Sequence, residues 1–322
     1  MIRLDGQVAL VTGAGGGLGR AHALLLAQRG ARVIVNDVGA AAEQVAQEIL
    51  SAGGEAAASI GSVTDYDFVT RMAADAKKRW GRIDILINNA GILRDKTFAK
   101  MDLADFRLVL DVHLMGSVHC TKAVWDTMRE QKYGRIVMTT SSSGLYGNFG
   151  QSNYGTAKMA LVGLMQTLAL EGEKHGIKVN CLAPTAATQM MEGILPEDML
   201  RLLKPEYVSP AVLALVREDA PTRAILCAGA RGFEAAHISL TPGVHIATDD
   251  GIPEAVVAHW HEIIDAADAI IPVNALQQSR IELAKAGYTA GVASEATVGA
   301  ALGATPGSPP GPTPGVTSGA TP

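Results

Sequence analysis

Residues 8–19, VALVTGAGGGLG, constrain this chain more than any other stretch. Val8 to Thr12 is a short apolar run rich in β-branched residues, the pattern of a strand buried on both faces of a parallel sheet. It runs into glycines at 13, 15, 16, 17 and 19, then into RAHALLLAQRG, which has helical composition and a stop at Gly30. Backbone without Cβ turns tightly and lets a phosphate come close. The helix N-terminus beyond offers free N–H groups and the positive end of a dipole. A second strand, ARVIVND, ends at Asp37, 18 residues after Gly19, where a carboxylate can grip a ribose 2′-hydroxyl. Strand, glycine turn, helix, strand and terminal acid in that order predict a dinucleotide site. A carboxylate at 37 repels a 2′-phosphate, and the glycine turn holds no Lys or Arg to attract one. The expected cofactor is NAD rather than NADP.

A second constellation lies in the middle of the chain. Tyr154 and Lys158 are four residues apart in SNYGTAKMAL, a helical stretch, so both side chains share one face. A cation beside a phenol favours phenolate and lowers a pKa that starts near about 10. A tyrosine so tuned can exchange a proton with an alcohol or carbonyl near neutral pH. Ser141, Ser142 and Ser143 lie upstream in GRIVMTTSSSG, and composition alone leaves all three as candidates. Asn88 and Asn89 follow the apolar strand IDILI, where NNAG also suits an ordinary strand-end turn.

The strand pattern repeats along the chain as VALVT, RVIVN, EAAASI, IDILI, RIVMTT, KVNCLA and AILCAG, alternating with helical stretches. Seven such strands joined by right-handed crossovers predict an α/β fold, a Rossmann-type doubly wound parallel sheet in one domain. A ligand then binds beyond the carboxyl ends of the strands, and Gly13, Asp37, Asn88, Ser141 and Pro184 all fall there. The 322 residues are ample for one large core.

Composition excludes several classes. The formal net charge is −5 with no cluster of Lys and Arg, which argues against a nucleic-acid partner. No apolar run reaches the about 18 residues that a membrane span requires. Cys120, Cys181 and Cys227 sit in apolar contexts without metal-ligand spacing, so no metal is expected. The first strand begins within a few residues of Met1, and the chain ends in Ala-Thr-Pro rather than a peroxisomal address. Together these predict a reduced, cytoplasmic protein.

TGAGGGLG (12–19), NNAG (88–91), Ser141 and Tyr154-Gly-Thr-Ala-Lys158 resemble the short-chain dehydrogenase/reductase family. The resemblance covers about residues 1–230. Within the family, LVTGAGGGLGRAHAL, VNDVG, KYGRIVMTTSSSGLYGNFGQSNYGTAK and LKPEYVSPAVLALV are similar to the (3R)-hydroxyacyl-CoA dehydrogenase part of peroxisomal multifunctional enzyme type 2 and its bacterial relatives. The resemblance implies that Tyr154 is the general acid/base, Lys158 its pKa modifier and a ribose ligand, and Ser141 the carbonyl orienter. It implies a cofactor site of Gly13, Gly15, Gly16, Gly17, Leu18, Gly19, Asp37, Ser62, Val63, Asn89, Ala90, Gly91, Tyr154, Lys158, Pro184 and Thr188.

Three positions depart from the family pattern. His113, in VHLMG, stands where an asparagine usually helps hold a water beside the lysine; its ring nitrogens suit similar work, and a packed helical histidine is the alternative. Ser62 replaces an acid that contacts adenine, leaving backbone groups of Ser62 and Val63 to flank that base. Pro184-Thr185 replaces Pro-Gly beside the nicotinamide.

By the same resemblance, residues 185–205 form a lid whose Met190, Met191, Ile194, Leu195 and Leu202 line an acyl pocket. Residues 232–288 read as a short extended piece and two helices, a C-terminal helical extension packed on the core or a partner subunit. His259 and His261 are two apart and share no helical face, so they are assigned to the surface or a subunit contact. From 289 to 322 Ala, Gly, Pro, Ser and Thr dominate, and the tail is expected to be disordered. The catalytic domain is thus 1–231. The expected activity is NAD-dependent oxidation of a (3R)-3-hydroxyacyl-CoA to the 3-oxoacyl-CoA, by a homodimer or homotetramer. The alternatives are a steroid or other secondary alcohol as substrate, a 3-oxoacyl-carrier-protein reductase, and a nucleotide-binding protein without turnover.

Overall fold

A computed structural model describes residues 2–187 and 196–288 of the chain. All seven expected strands form: β1 (Val8–Val11), β2 (Arg32–Asp37), β3 (Glu55–Ile60), β4 (Ile85–Asn88), β5 (Gly134–Thr139), β6 (Ile177–Thr185) and β7 (Ile225–Gly229). The sheet has eight strands rather than seven, because β8 (Gly232–Ala236) adds antiparallel to β7. The order is β3-β2-β1-β4-β5-β6-β7-β8, and every other pairing is parallel. Chain direction across the sheet reverses between β1 and β4, so the crevice for a ligand opens above those two strands.

The central strands bury every residue, as runs without polar alternation require: VALV in β1, ILIN in β4, GRIVMT in β5. Helices cover both faces. On one side α1 (Gly17–Gln28), α2 (Ala41–Ser51) and α9 (Ser209–Val216) bury Leu26, Val45, Ile49, Val212 and Leu215 against Val11, Val33 and Ile87. On the other, α3 (Tyr66–Trp80), α5 (Gly116–Gln131) and α7 (Ser152–Gly172) bury Val69, Met72, Val124, Met128, Leu161 and Met165 against Leu10, Leu86 and Ile136. α4 (Leu103–Leu110) runs into α5 through a single π-helical turn, Asp111–Met115. α6 (Ser142–Tyr146) is one short turn after β5, and α8 (Glu197–Leu202) precedes α9.

The first compact unit ends at His237, so residues 232–236, read from the sequence as the start of the extension, belong to the sheet. The second unit begins at Ile238. Its described part holds three helices where two were expected: α10 (Ile252–Ala258), α11 (Trp260–Ile264) and α12 (Ala275–Lys285). His259 caps α10 and pairs its Nδ1 with Glu262 Oε1 at 2.9 Å, an exposed contact. Residues 188–195 of the expected lid, with Thr188, Met190, Met191, Ile194 and Leu195, lie outside the described residues, as does the tail from 289. Leu202 is described and is 60% exposed.

Candidate active site

The glycine turn is built as its sequence demands. Gly13 and Gly17 have φ of 62° and 51°, the left-handed region that glycine enters without cost. Gly19 is needed for a different reason: a Cβ there would strike the carbonyl of Gly13 and the amide of Asn89. Asn89 Nδ2 donates to Thr12 O (2.9 Å) and Gly13 O (3.1 Å), tying the end of β4 to the turn after β1. Thr12, the first residue of the TGAGGGLG motif, completes the knot by accepting from Asn89 N and Ala90 N through Oγ1. Asn88 is buried and turned the other way, toward Thr121 and the sulfur of Met138.

Asp37 stands at the carboxyl end of β2. Its Oδ2 accepts from Gly15 N at 2.9 Å and its Oδ1 from Val38 N at 2.7 Å. Beside it opens a cleft of about 450 Å³ lined by Gly13, Gly16, Gly17, Asn36, Asp37, Val38, Gly61, Ser62, Val63, Asn89, Ala90, Gly91, Ile92 and Val112. Nine of the expected cofactor residues are therefore gathered there: Gly13, Gly16, Gly17, Asp37, Ser62, Val63, Asn89, Ala90 and Gly91. Gly15 contributes through its bond to Asp37, while Leu18 packs its side chain on the core. Pro184 sits in the β6–β7 ladder opposite Ala228. Ser62 Oγ is occupied by Thr64 Oγ1 at 2.7 Å, and Val63 O faces His119 Nδ1 at 3.0 Å. A cleft of this shape, floored by glycines and flanked by a carboxylate, fits a dinucleotide.

The second constellation adjoins this cleft through His113. Its ring lies so close to Gly91 that a Cβ on residue 91 would collide with it. His113 Nε2 is 3.0 Å from Ile92 N and 2.8 Å from Ile92 O. The other face of the contact is Tyr154, whose ring meets the imidazole edge-on with centroids 5.2 Å apart. Burial, reinforced by the charge of Lys158, pulls the His113 pKa down to about 3, so the ring is neutral at physiological pH. Its Nδ1 is buried and has no partner among the described residues.

Ser141 is the N-cap of α6, 8% exposed, with Oγ accepting from Ser143 N at 3.2 Å. Lys158 is buried; its Nζ donates to Thr139 O at 2.5 Å and lies 5.4 Å from the centroid of the Tyr154 ring. Burial draws the Lys158 pKa down to about 7. Burial also holds the Tyr154 phenol above its ordinary value; a bond to Ser141 works the other way and the charge of Asp95 adds to the rise. The phenol is thus pushed up in this chain, although Lys158 was expected to lower it. In the chain by itself, desolvation is the largest influence on both groups.

Residues that drew no notice in the sequence hold this wall in place. Thr140 Oγ1 donates to Lys158 O at 2.7 Å, and Asn153 Oδ1 accepts from Tyr154 N at 2.7 Å. Asn153 Nδ2 donates to Arg94 O, and Gln151 Nε2 donates to Asp95 Oδ2. Asn and Gln close to a helix start could have been read as capping residues, but their partners at 94 and 95 carry no local signal.

The sequence matches the family model described as short chain dehydrogenase over residues 7–198. It is 46% identical over 284 residues to peroxisomal multifunctional enzyme type 2 of Mus musculus, covering 84% of this chain and 38% of that protein. The chain therefore spans well under half of that relative. The fold superposes on the full-length peroxisomal multifunctional enzyme type 2 of Drosophila melanogaster with a TM-score of 0.77 and 37% identity, covering 89% of this chain and 50% of that one. It also matches a 7α-hydroxysteroid dehydrogenase complexed with NADH and 7-oxo glycochenodeoxycholic acid, with a TM-score of 0.67 and 31% identity over 71% of this chain and 95% of that one. A matched family model over most of the chain, the parallel sheet and the glycine cleft agree: the chain belongs to the short-chain dehydrogenase family.

Proposed function

We propose that this dehydrogenase uses NAD to oxidise a (3R)-3-hydroxyacyl-CoA to the 3-oxoacyl-CoA. The observation that carries the reading is the continuity from the glycine cleft through Gly91 and His113 to Tyr154. It supports one binding site in which a dinucleotide and an alcohol meet. Asp37 at the cleft supports NAD, because its charge opposes a 2′-phosphate. The 46% identity to a peroxisomal multifunctional enzyme supports the acyl-CoA substrate.

The residues then divide the work. Gly13, Gly16 and Gly17 leave room for the pyrophosphate, Asp37 binds the adenosine ribose, and Ser62 with Val63 flanks the adenine. A nicotinamide held there would supply the hydride acceptor for the carbinol carbon and, oxidised, a positive charge that favours phenolate. Tyr154 removes the hydroxyl proton. Ser141, whose oxygen already accepts from Ser143 N, is left with its own proton to donate to the carbinol oxygen. Lys158 holds a ribose hydroxyl and, with a pKa near about 7, passes protons onward. Neutral His113 sits between cleft and phenol, positioned to share that proton traffic.

The test is a screen of NADH formation from NAD, and of NADPH formation from NADP, with 3-hydroxyacyl-CoAs of several chain lengths, alongside a steroid panel. The (3R)-hydroxyacyl-CoAs with NAD are expected to give the highest kcat/KM. A higher kcat/KM with a steroid would reassign the substrate, and a higher value with NADP would overturn the role of Asp37.

A further inference from the structure

A short segment, residues 94–96, crosses the start of α7 and is fixed to it at three points. Arg94 O accepts from Asn153 Nδ2 at 2.9 Å, Asp95 Oδ2 accepts from Gln151 Nε2 at 2.7 Å, and Lys96 N donates to Gly150 O at 2.9 Å. From the opposite side Asp105 of α4 lies 3.7 Å from Arg94 Nε and 3.5 Å from Lys96 Nζ. Gln151 occupies the N-cap position of α7, yet its side chain makes no cap bond. It turns instead toward α6, where its Oε1 accepts from Ser143 Oγ at 2.8 Å and from Asn148 Nδ2 at 3.0 Å. Ser143 in turn donates its backbone N–H to Ser141 Oγ.

The directions in this chain are fixed by chemistry. An ionised Asp95 can only accept, so it obliges Gln151 to present Nε2 to it and Oε1 to Ser143. Oε1 then accepts a hydrogen bond from the Ser143 hydroxyl. That bond fixes the Ser143 side chain at the start of α6, where the Ser143 backbone N–H separately donates to Ser141 Oγ at 3.2 Å and leaves the Ser141 proton to be donated. The link at Ser143 is positional rather than electronic, because its hydroxyl and its backbone N–H make the two bonds separately.

We propose that Asp95 and Gln151 are positioning residues, which set the orientation of Ser141 through Ser143 from a strap outside the nucleotide cleft. The inference rests on the reading above that Ser141 contacts the reacting oxygen. Neither residue touches that oxygen, so their effect falls on turnover and not on cofactor binding.

The experiment is a double-mutant cycle in the full chain, measured with whichever secondary alcohol the wild type oxidises fastest. D95A and Q151A are each expected to lower kcat by about tenfold, the scale on which a mispositioned group costs rate, with KM for NAD within about twofold of wild type. The double variant should fall no further than either single one, because both changes break one chain. D95N keeps an acceptor for Gln151 Nε2 and should restore most of the turnover. S143A, which removes the hydroxyl that Gln151 Oε1 holds, breaks the same chain and should show about the same loss of kcat with KM for NAD unchanged; wild-type kcat in S143A would overturn the proposal. Additive losses, wild-type kcat in D95A, or equal losses in D95A and D95N would each overturn the proposal. A poorly folded D95A leaves S143A to decide, since removal of one hydroxyl spares the fold. A wild type inactive on every alcohol would instead overturn the proposed function and leave no rate for Asp95 to set.

Discussion

At the scale of single residues, the site turns on how His113 is held. Ile92 presents both its N–H and its C=O to the same ring nitrogen, at 3.0 and 2.8 Å. Nε2 can therefore accept from one or donate to the other, and neither neutral tautomer leaves it unsatisfied. The opposite nitrogen, buried and without a partner among the described residues, becomes donor or acceptor accordingly. An asparagine has no such choice, because its amide carries a fixed donor and a fixed acceptor. Gly91 is part of the same device, since the ring occupies the space a Cβ would need. We predict that Gly91→Ala displaces His113 and destabilises the chain by about 1–3 kcal/mol, the usual cost of overpacking a filled site. Urea unfolding checks it, and a midpoint equal to wild type would show that the ring yields freely.

At the scale of elements, the seven parallel strands were legible because each holds an apolar run at the spacing of βα units, fully buried in β1, β4 and β5. The eighth was not, for two physical reasons. Gly232–Ala236 is largely exposed, so burial put no apolar pattern on it. The hairpin joining it to β7 has a two-residue loop, Ala230-Arg231, with φ of 48° and 68°. Asn-Gly is the usual signal for such a turn; here Arg231 is held instead by the ring and hydroxyl of Tyr207. The π-turn carrying His113 was equally invisible, as it interrupts one continuous helical pattern without Pro or Gly inside it. Of the site, Ser141, Tyr154, Lys158 and the glycines were legible from motif spacing, whereas Asp95 and Gln151 act across 56 residues and leave no local trace.

The junction of α1 and α9 makes a prediction of its own. His22 on α1 is fully buried, with Nδ1 2.8 Å from Ser209 Oγ, and burial pulls its pKa down to about 3. His113 shares that shift. A buried neutral histidine binds no proton where the unfolded chain does, so stability is full above about pH 6.5 and is lost as pH falls toward about 3. Each histidine accounts for about 2 kcal/mol between pH 8 and pH 5. Chemical unfolding at the two pH values should show this loss, and His22→Leu should remove roughly half of it. An acid dependence unchanged by that substitution would exonerate His22.

At the scale of the whole molecule, the helices that carry His113 and Tyr154 also expose apolar side chains. Leu108 precedes the π-turn and Met115 ends it, while Met159 and Leu170 on α7 are eleven residues apart, close to three turns. All four are at least 40% exposed in the single chain. We propose that this face joins copies into a homodimer or homotetramer, which would hold the π-turn and the start of α7 against movement. Light scattering on the eluting protein should give two or four chains, and Met159→Glu with Leu170→Glu should reduce that number. A monomeric wild type would remove the face from the account.

The central claim is that the Tyr154 phenol carries the proton while the dinucleotide in the glycine cleft takes the hydride. The direct measurement is NADH formation by wild type and Tyr154→Phe with a (3R)-3-hydroxyacyl-CoA, together with the Kd of each protein for NAD. The account predicts a fall in kcat of at least about a hundredfold, the lower end of what a positioned proton carrier contributes, with the NAD Kd nearly unchanged. Wild-type kcat in Tyr154→Phe would contradict it.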